Sequence, residues 1–269
     1  MIVFPNAKIN LGLNIVSKRS DGYHNIETVF YPIAWQDALE IVESDNYQFT
    51  SSGLKIEGKL EDNLCTKAYN LLKLQHDIPS VHIHLHKSIP MGAGLGGGSS
   101  DAAFTLKALN VLFNLSLSTE TLQNYASQIG ADCAFFIENT PVLAYEKGDK
   151  FKPLSINLSN YYIVIVYPEI HVSTAEAYAG VKPNNSPIIV EAILNLDFDA
   201  WKENLKNDFE KSVFENHQEI ENLKNKMYEK GAKYASMSGS GSAVYGIFEN
   251  EIPLNDFKNL KVWQGKLNV

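Results

Sequence analysis

Residues 8–16 alternate strictly, with Ile9, Leu11, Leu13 and Ile15 on one face and Lys8, Asn10, Gly12 and Asn14 on the other. That is the period of a half-buried strand, and it puts Lys8 and Asn10 together on its polar side. The Asp21-Gly22 pair marks a turn, residues 26–33 read as the returning strand, and residues 38–42 as another, so the opening third is expected to be mainly antiparallel sheet. Asp62 or Asn63 can cap a helix in which Leu64, Ala68, Leu71 and Leu72 recur at helical spacing, after which residues 81–86 alternate again. A glycine-rich connection leads into a helix for which Ser99, Ser100 and Asp101 are cap candidates and on which Ala102, Leu106, Leu109 and Phe113 share a face. Residues 121–128 predict a helix stopped by Gly130, and residues 142–145 and 161–167 predict strands. Pro183, Asn184, Asn185, Ser186 and Pro187 predict a linker. Polar helices follow as far as Gly231, then a strand pair over residues 234–248 surrounds a small-residue loop at 236–241. Hairpins interspersed with helices place the chain in the α+β class.

Composition narrows the function classes more than the fold. At 269 residues, 45% of them hydrophobic and 20% charged, the chain can build one large domain or two fused lobes. No apolar run is long enough to cross a bilayer. A formal net charge of −8 disfavours nonspecific nucleic-acid binding, which draws on clustered Lys and Arg. Cys65 and Cys133 share no metal-ligand spacing, and the opening MIVFPNAKINLGLNIV enters a strand pattern with no basic and apolar leader, so a reducing, cytoplasmic setting is expected. His82, His84 and His86 share a strand face, but no cysteine or carboxylate cluster completes a coordination shell, and a metal role is not expected there.

The connection PMGAGLGGGSSDAA at residues 90–103 places Gly92, Gly94, Gly96, Gly97 and Gly98 within seven positions. Such density is costly in backbone entropy unless something must approach the main chain closely. Backbone N–H groups there, with the positive end of the following helix, make a phosphate cradle. Gly92, Gly94 and Gly97 also satisfy the dinucleotide fingerprint G-x-G-x-x-G, but that motif belongs to a buried parallel strand running directly into its turn, whereas Lys87, Ser88, Ile89 and Pro90 intervene here. No lysine precedes Ser99, so the Walker loop fails as well.

The run PMGAGLGGGSSDAA resembles the central motif of the GHMP small-molecule kinases. NAKINLGL at residues 6–13 looks like that family's first motif and SMSGSGS at residues 236–242 like its third. Within the superfamily, residues 7–30, the turn Asp21-Gly22-Tyr23-His24, GADCAFFI at 130–137 and Asn207-Asp208-Phe209-Glu210 are similar to the kinases of the non-mevalonate isoprenoid route that act on 4-diphosphocytidyl-2-C-methyl-D-erythritol. The resemblance implies a two-lobed α+β fold, with a ribosomal-protein-S5-like lobe over residues 1–150 and a ferredoxin-like lobe over 151–269. It also implies ATP with Mg²⁺ as cofactor and phosphorylation of the substrate's 2-hydroxyl. A mevalonate-type or homoserine-type kinase, or a noncatalytic ligand sensor of the same fold, is the alternative. Oligomeric state is left open.

By the same resemblance Pro90, Met91, Gly92, Ala93, Gly94, Leu95, Gly96, Gly97, Gly98, Ser99 and Ser100 hold ATP. Asp132 follows Gly130 in an otherwise apolar run; by residue chemistry it is a helix cap or a catalytic base, and the resemblance implies the base. Lys8, by itself a solvated strand lysine, is implied to stand beside that aspartate and keep it ionised, and Asn10 to fix polar groups of the substrate. Tyr23 and His24 follow a tight turn, where a ring can stack on a base and an imidazole can bond its edge, or both can pack as hairpin residues. The resemblance implies a cytosine site, with Tyr178 as a second stacking face. Asn63 and Lys87 flank the loop, and read by themselves they are a helix cap and a solvated charge.

Overall fold

The computed structural model describes residues 1–181, 183 and 190–267. Its strands are β1 (Ile2–Val3), β2 (Asn6–Lys18), β3 (His24–Gln36), β4 (Ala38–Glu43), β5 (Gln48–Gly53), β6 (Val81–Lys87), β7 (Val142–Glu146), β8 (Lys150–Pro153), β9 (Tyr162–Tyr167), β10 (Tyr234–Met237), β11 (Val244–Phe248) and β12 (Lys261–Lys266). The helices are α1 (Leu64–Gln75), α2 (Gly97–Leu112), α3 (Thr119–Ile129), α4 (Phe135–Glu138), α5 (Thr174–Ala179), α6 (Val190–Leu194), α7 (Phe198–Asn204), α8 (Phe209–Asn216) and α9 (Gln218–Glu229). Apart from Pro183, the linker residues expected at 183–187 lie outside the described residues.

Two compact units emerge, Met1–Ala7 with Trp35–Met91 and Gly96–Thr140, and Lys8–Ala34 with Gly92–Leu95 and Pro141–Val269. Each unit draws on separate runs of chain, whereas a boundary near residue 150 treats each lobe as one run. In the first unit a sheet of order β1-β4-β6-β5 turns Leu39, Ile41, Val81, Ile83 and Leu85 inward, all buried, and the helices α1, α2, α3 and α4 pack among themselves, with α2 also reaching β4. β5, which the sequence did not announce, pairs with β6 in parallel, so the opening third is not wholly antiparallel. Asn63 caps α1 by accepting from the N–H groups of Cys65 and Thr66, as its side-chain chemistry predicts.

In the second unit, one sheet has the order β2-β3-β7-β8 and another the order β10-β11-β9-β12. The latter is antiparallel throughout and, counted in chain order, reads second, third, first, fourth strand. With helices α5 to α9 in the crossover from β9 to β10, that is the ferredoxin-like arrangement. Val164, Val166, Phe209, Val213, Ile220, Met227 and Val244 join its core. The alternation of β2 is real, but the expected wet face is not: Lys8 and Asn10 are each 3% exposed. Both faces of this strand are covered, which a period of two cannot distinguish from one covered face.

Candidate active site

Three segments far apart in sequence meet in the second unit, and the carbonyl of Gly94 is their centre. Lys8 Nζ donates to it at 3.2 Å and Ser238 Oγ at 2.9 Å. The neighbouring carbonyls point the same way, Ala93 O accepting from Ala243 N at 3.1 Å and Leu95 O from Lys8 N at 2.9 Å. A trans peptide sets its N–H opposite its C=O, so fixing the carbonyls of residues 93–95 turns the N–H groups of Gly94, Leu95 and Gly96 away from this cluster. Gly94 cannot be anything else: at φ 78° a Cβ would lie 1.9 Å from Ser238 O.

Around that centre Lys8 Nζ donates to Asn10 Oδ1 at 2.6 Å and lies 4.8 Å from the Phe30 ring centroid. Asn10 Nδ2 donates to Thr28 Oγ1 at 3.0 Å, and Asn10 N to Ser238 Oγ at 3.3 Å. The small-residue loop is held in turn by Asn207, whose Nδ2 donates to the carbonyls of Met237 and Gly239 at 2.8 Å each. Glu210 Oε1 accepts from Ser236 Oγ at 3.0 Å and Met237 N at 2.9 Å. Asn207 and Glu210 carry these bonds from the start of α8; the sequence marked the run Asn207-Asp208-Phe209-Glu210 by its resemblance, but not this task.

In the first unit the loop runs into α2, which starts at Gly97 with a left-handed Gly96 (φ 70°) as its N-cap and no capping side chain. Ser99, Ser100 and Asp101, expected as caps, lie inside the first turns instead. Because no side chain occupies the cap, the helix presents its unpaired first-turn amides directly. Asp132 is half-buried in the turn before α4, and α4 takes Ala134 as its N-cap without a side-chain bond, so Asp132 is not that helix's cap. Lys87 is a further correction. Far from solvated, it is 1% exposed and ion-paired to Asp37 and Asp101.

The residues expected on the substrate side, Tyr23, His24 and Tyr178, lie in the second unit. His24 and Tyr178 stack on one another, centroids 4.7 Å apart and planes 19° apart, and Phe209 backs Tyr178 edge-on at 4.7 Å. Tyr23 is 62% exposed, with Lys147 Nζ 5.3 Å from its ring centroid. The turn before it is braced by Arg19, which donates to Asp21 and Asn25. His82, His84 and His86 bond through their ring nitrogens to the hydroxyls of Thr50 and Ser52 on β5.

The model of the GHMP kinases N terminal domain matches residues 63–139, and that of the GHMP kinases C terminal matches residues 189–259. A 4-diphosphocytidyl-2-C-methyl-D-erythritol kinase of Cytophaga hutchinsonii is 57% identical over 252 residues, 93% of each chain. One of Parabacteroides distasonis is 52% identical over the full length of both. The chain belongs to the GHMP kinases. Such enzymes phosphorylate small-molecule alcohols with ATP as donor, and this one is therefore a kinase of the α+β class that its sequence implied. A crystal structure of 4-(cytidine 5'-diphospho)-2C-methyl-D-erythritol kinase superposes on 98% of this GHMP kinase and 98% of its own chain, with a TM-score of 0.81 at 31% identity. Homoserine kinase from Cytophaga hutchinsonii reaches a TM-score of 0.69 at 16% identity, over 97% of this chain and 94% of its own, which is a likeness of fold alone. No helix among the described residues of this kinase is long and apolar enough to cross a membrane.

Proposed function

We propose that this GHMP kinase transfers the γ-phosphoryl group of ATP to the 2-hydroxyl of 4-diphosphocytidyl-2-C-methyl-D-erythritol in the cytoplasm, a step of the non-mevalonate isoprenoid route. The observation that carries the substrate is the 57% identity, over 93% of both chains, with a relative named for it. In this reading the lobe of residues 1–150 carries the ATP loop and residues 151–269 complete the substrate side. The substrate oxygen attacks the γ-phosphorus, the bridging oxygen leaves with ADP, and the hydroxyl proton passes to the carboxylate of Asp132.

Residues 90–100 hold the phosphates, supported by the outward-turned amides of residues 94–96 and the uncapped start of α2. Lys8, whose ammonium reaches Gly94 O and Asn10, supplies positive charge to the transferring group, and Asn10 fixes that ammonium. Mg²⁺ takes an all-oxygen shell drawn largely from phosphate and water. Its fit is supported by Ser100 Oγ, which is buried without a hydrogen-bond partner and would complete that shell; when bound, the ion neutralises phosphate charge. His24 and Tyr178 receive the cytosine, with Tyr23 as a further stacking face. At 4.7 Å between centroids the first two rings leave no room for a third, which would need roughly twice that spacing, so the base either parts them or stacks on an outer face.

Coupled ADP release tests the reading. With purified protein and Mg-ATP, the cytidyl substrate is expected to give turnover at least about 10² above mevalonate, homoserine or galactose, the discrimination expected of a site that bonds polar groups its competitors lack. Equal rates with all four, or release with none, would refute it, and the second outcome would favour a noncatalytic sensor.

A further inference from the structure

The loop of residues 90–100 has two stems, the chain leaving β6 and the start of α2, and one buried ionic cluster grips both. Lys87, the last residue of β6, donates from Nζ to Asp101 Oδ2 at 2.8 Å and to Asp37 Oδ2. Asp37, between β3 and β4, accepts through its other oxygen from Ser88 N at 2.6 Å and Ile89 N at 2.9 Å, and its own N–H donates to Pro5 O at 2.8 Å. One carboxylate thus holds the chain as it enters the loop, the other rides on α2 as the chain leaves, and one ammonium joins them. Gly97 packs directly on that ammonium: a Cβ there would lie 2.9 Å from Lys87 Nζ and 2.9 Å from Ile89 Cγ2, so any displacement of Lys87 is felt at the first residue of the helix.

We propose that the Lys87–Asp37–Asp101 cluster is a positioning device for ATP, fixing the two stems of the phosphate loop against each other so that the loop amides are held where the phosphates bind. This rests on the reading of residues 90–100 as the ATP loop. Stability alone does not account for the cluster. Two carboxylates share one ammonium, all at most 3% exposed, and apolar residues filling the same space are commonly as stable or more so. What an apolar filling lacks is direction, since each bond here ties a particular oxygen to a particular stem. The cluster also leaves Asp101 Oδ1 without a hydrogen-bond partner, a cost that packing for stability would have removed. The thiol of Cys65 on α1, which also interacts with Asp101, is pushed up by burial and stays neutral, so it does not compete for the ammonium.

The test separates positioning from folding. Lys87→Met combined with Asp37→Asn and Asp101→Asn replaces the ionic cluster by neutral groups of similar size. Folded to a Tm within a few degrees of wild type, this variant is expected to raise the KM for Mg-ATP by about tenfold or more, the usual consequence of a misplaced binding element. The KM for the cytidyl substrate should stay within about twofold, because only the nucleotide side is loosened. An unchanged KM for Mg-ATP in the folded variant overturns the proposal. Asp101→Asn alone, the mildest change, provides the second arm should the triple variant not fold. Calorimetry with Mg-ATP is expected to show weaker binding by at least about threefold, and wild-type affinity in that variant equally overturns the proposal. Wild-type protein that binds no Mg-ATP would instead strike down the loop reading itself, and the proposal with it.

Discussion

Asp132 sits in a turn whose helix is capped by another residue, so an amide in its place should leave the fold intact and strike the chemistry. Asp132→Asn is expected to bind both substrates normally and to lose about 10² to 10⁴ in the rate of the chemical step, the usual contribution of a positioned base. Single-turnover quench-flow at saturating ATP and cytidyl substrate reads that step directly; a rate within a few-fold of wild type would leave Asp132 no part in proton transfer. Residue identity told much at this scale. The glycine spacing and the three motifs marked Gly94, Lys8 and Ser238 in the sequence. That Gly94 O is the point where they converge was not legible, because hydrogen bonds between residues 8, 94 and 238 depend on closure of the chain and not on local period.

At the scale of elements, α8 shows how a helix start can be recruited to hold a loop. Asn207 supplies both amide hydrogens to carbonyls of the 236–239 segment and is 3% exposed. Asn207→Ala strips the Gly239 carbonyl of its donor and leaves Met237 O with only the longer bond from Ser236 Oγ at 3.3 Å, and a buried group left unsatisfied costs about 1–3 kcal/mol. Urea unfolding should register a drop of at least about 1 kcal/mol, and an unshifted midpoint would mean that water or a neighbour replaces the amide at no cost. Strand and helix periods predicted β2, β3, β4, β6, α1, α2 and α3 within a few residues. β5, β8 and β12 escaped because their sequences, QFTSSG, KFKP and KVWQGK, carry too few alternating apolar positions; they are strands because a neighbour's edge pairs with them. The expected caps of α2 were misplaced for a related reason. A left-handed glycine starts this helix, and Ser99, Ser100 and Asp101 are good cap residues used for something else.

For the molecule as a whole, stability should depend on pH through Asp101. Burial pushes its carboxyl up to about 7, with Lys87 lowering it and Asp37 raising it, against roughly 3.9 for an unfolded aspartate. Between those values the folded state binds more protons than the unfolded one, so this group's contribution becomes less favourable as pH rises and is at its worst above pH 7. Asp101→Asn removes the titration. The Tm of wild type relative to Asp101→Asn is therefore expected to fall between pH 5 and pH 8 by several degrees, since about 1 kcal/mol moves Tm by roughly 2–4 °C in a chain of this size. Parallel Tm profiles for the two proteins would place the pKa of Asp101 outside that window.

The family, the reaction class and the main secondary structure were determined by the sequence itself, because glycine density, alternation and helical spacing are local properties that survive in a one-dimensional string. Burial was decided only by the tertiary structure. Lys8 and Asn10 read as polar positions on a strand and Lys87 as a solvated charge beside the loop, and all three are inside, Lys87 because Asp37 and Asp101 arrive from 50 residues before and 14 residues after it. Whether a charged side chain meets water or a partner depends on which distant segment folds over it, and the energy that settles the matter, desolvation set against pairing, does not exist until those segments are in place.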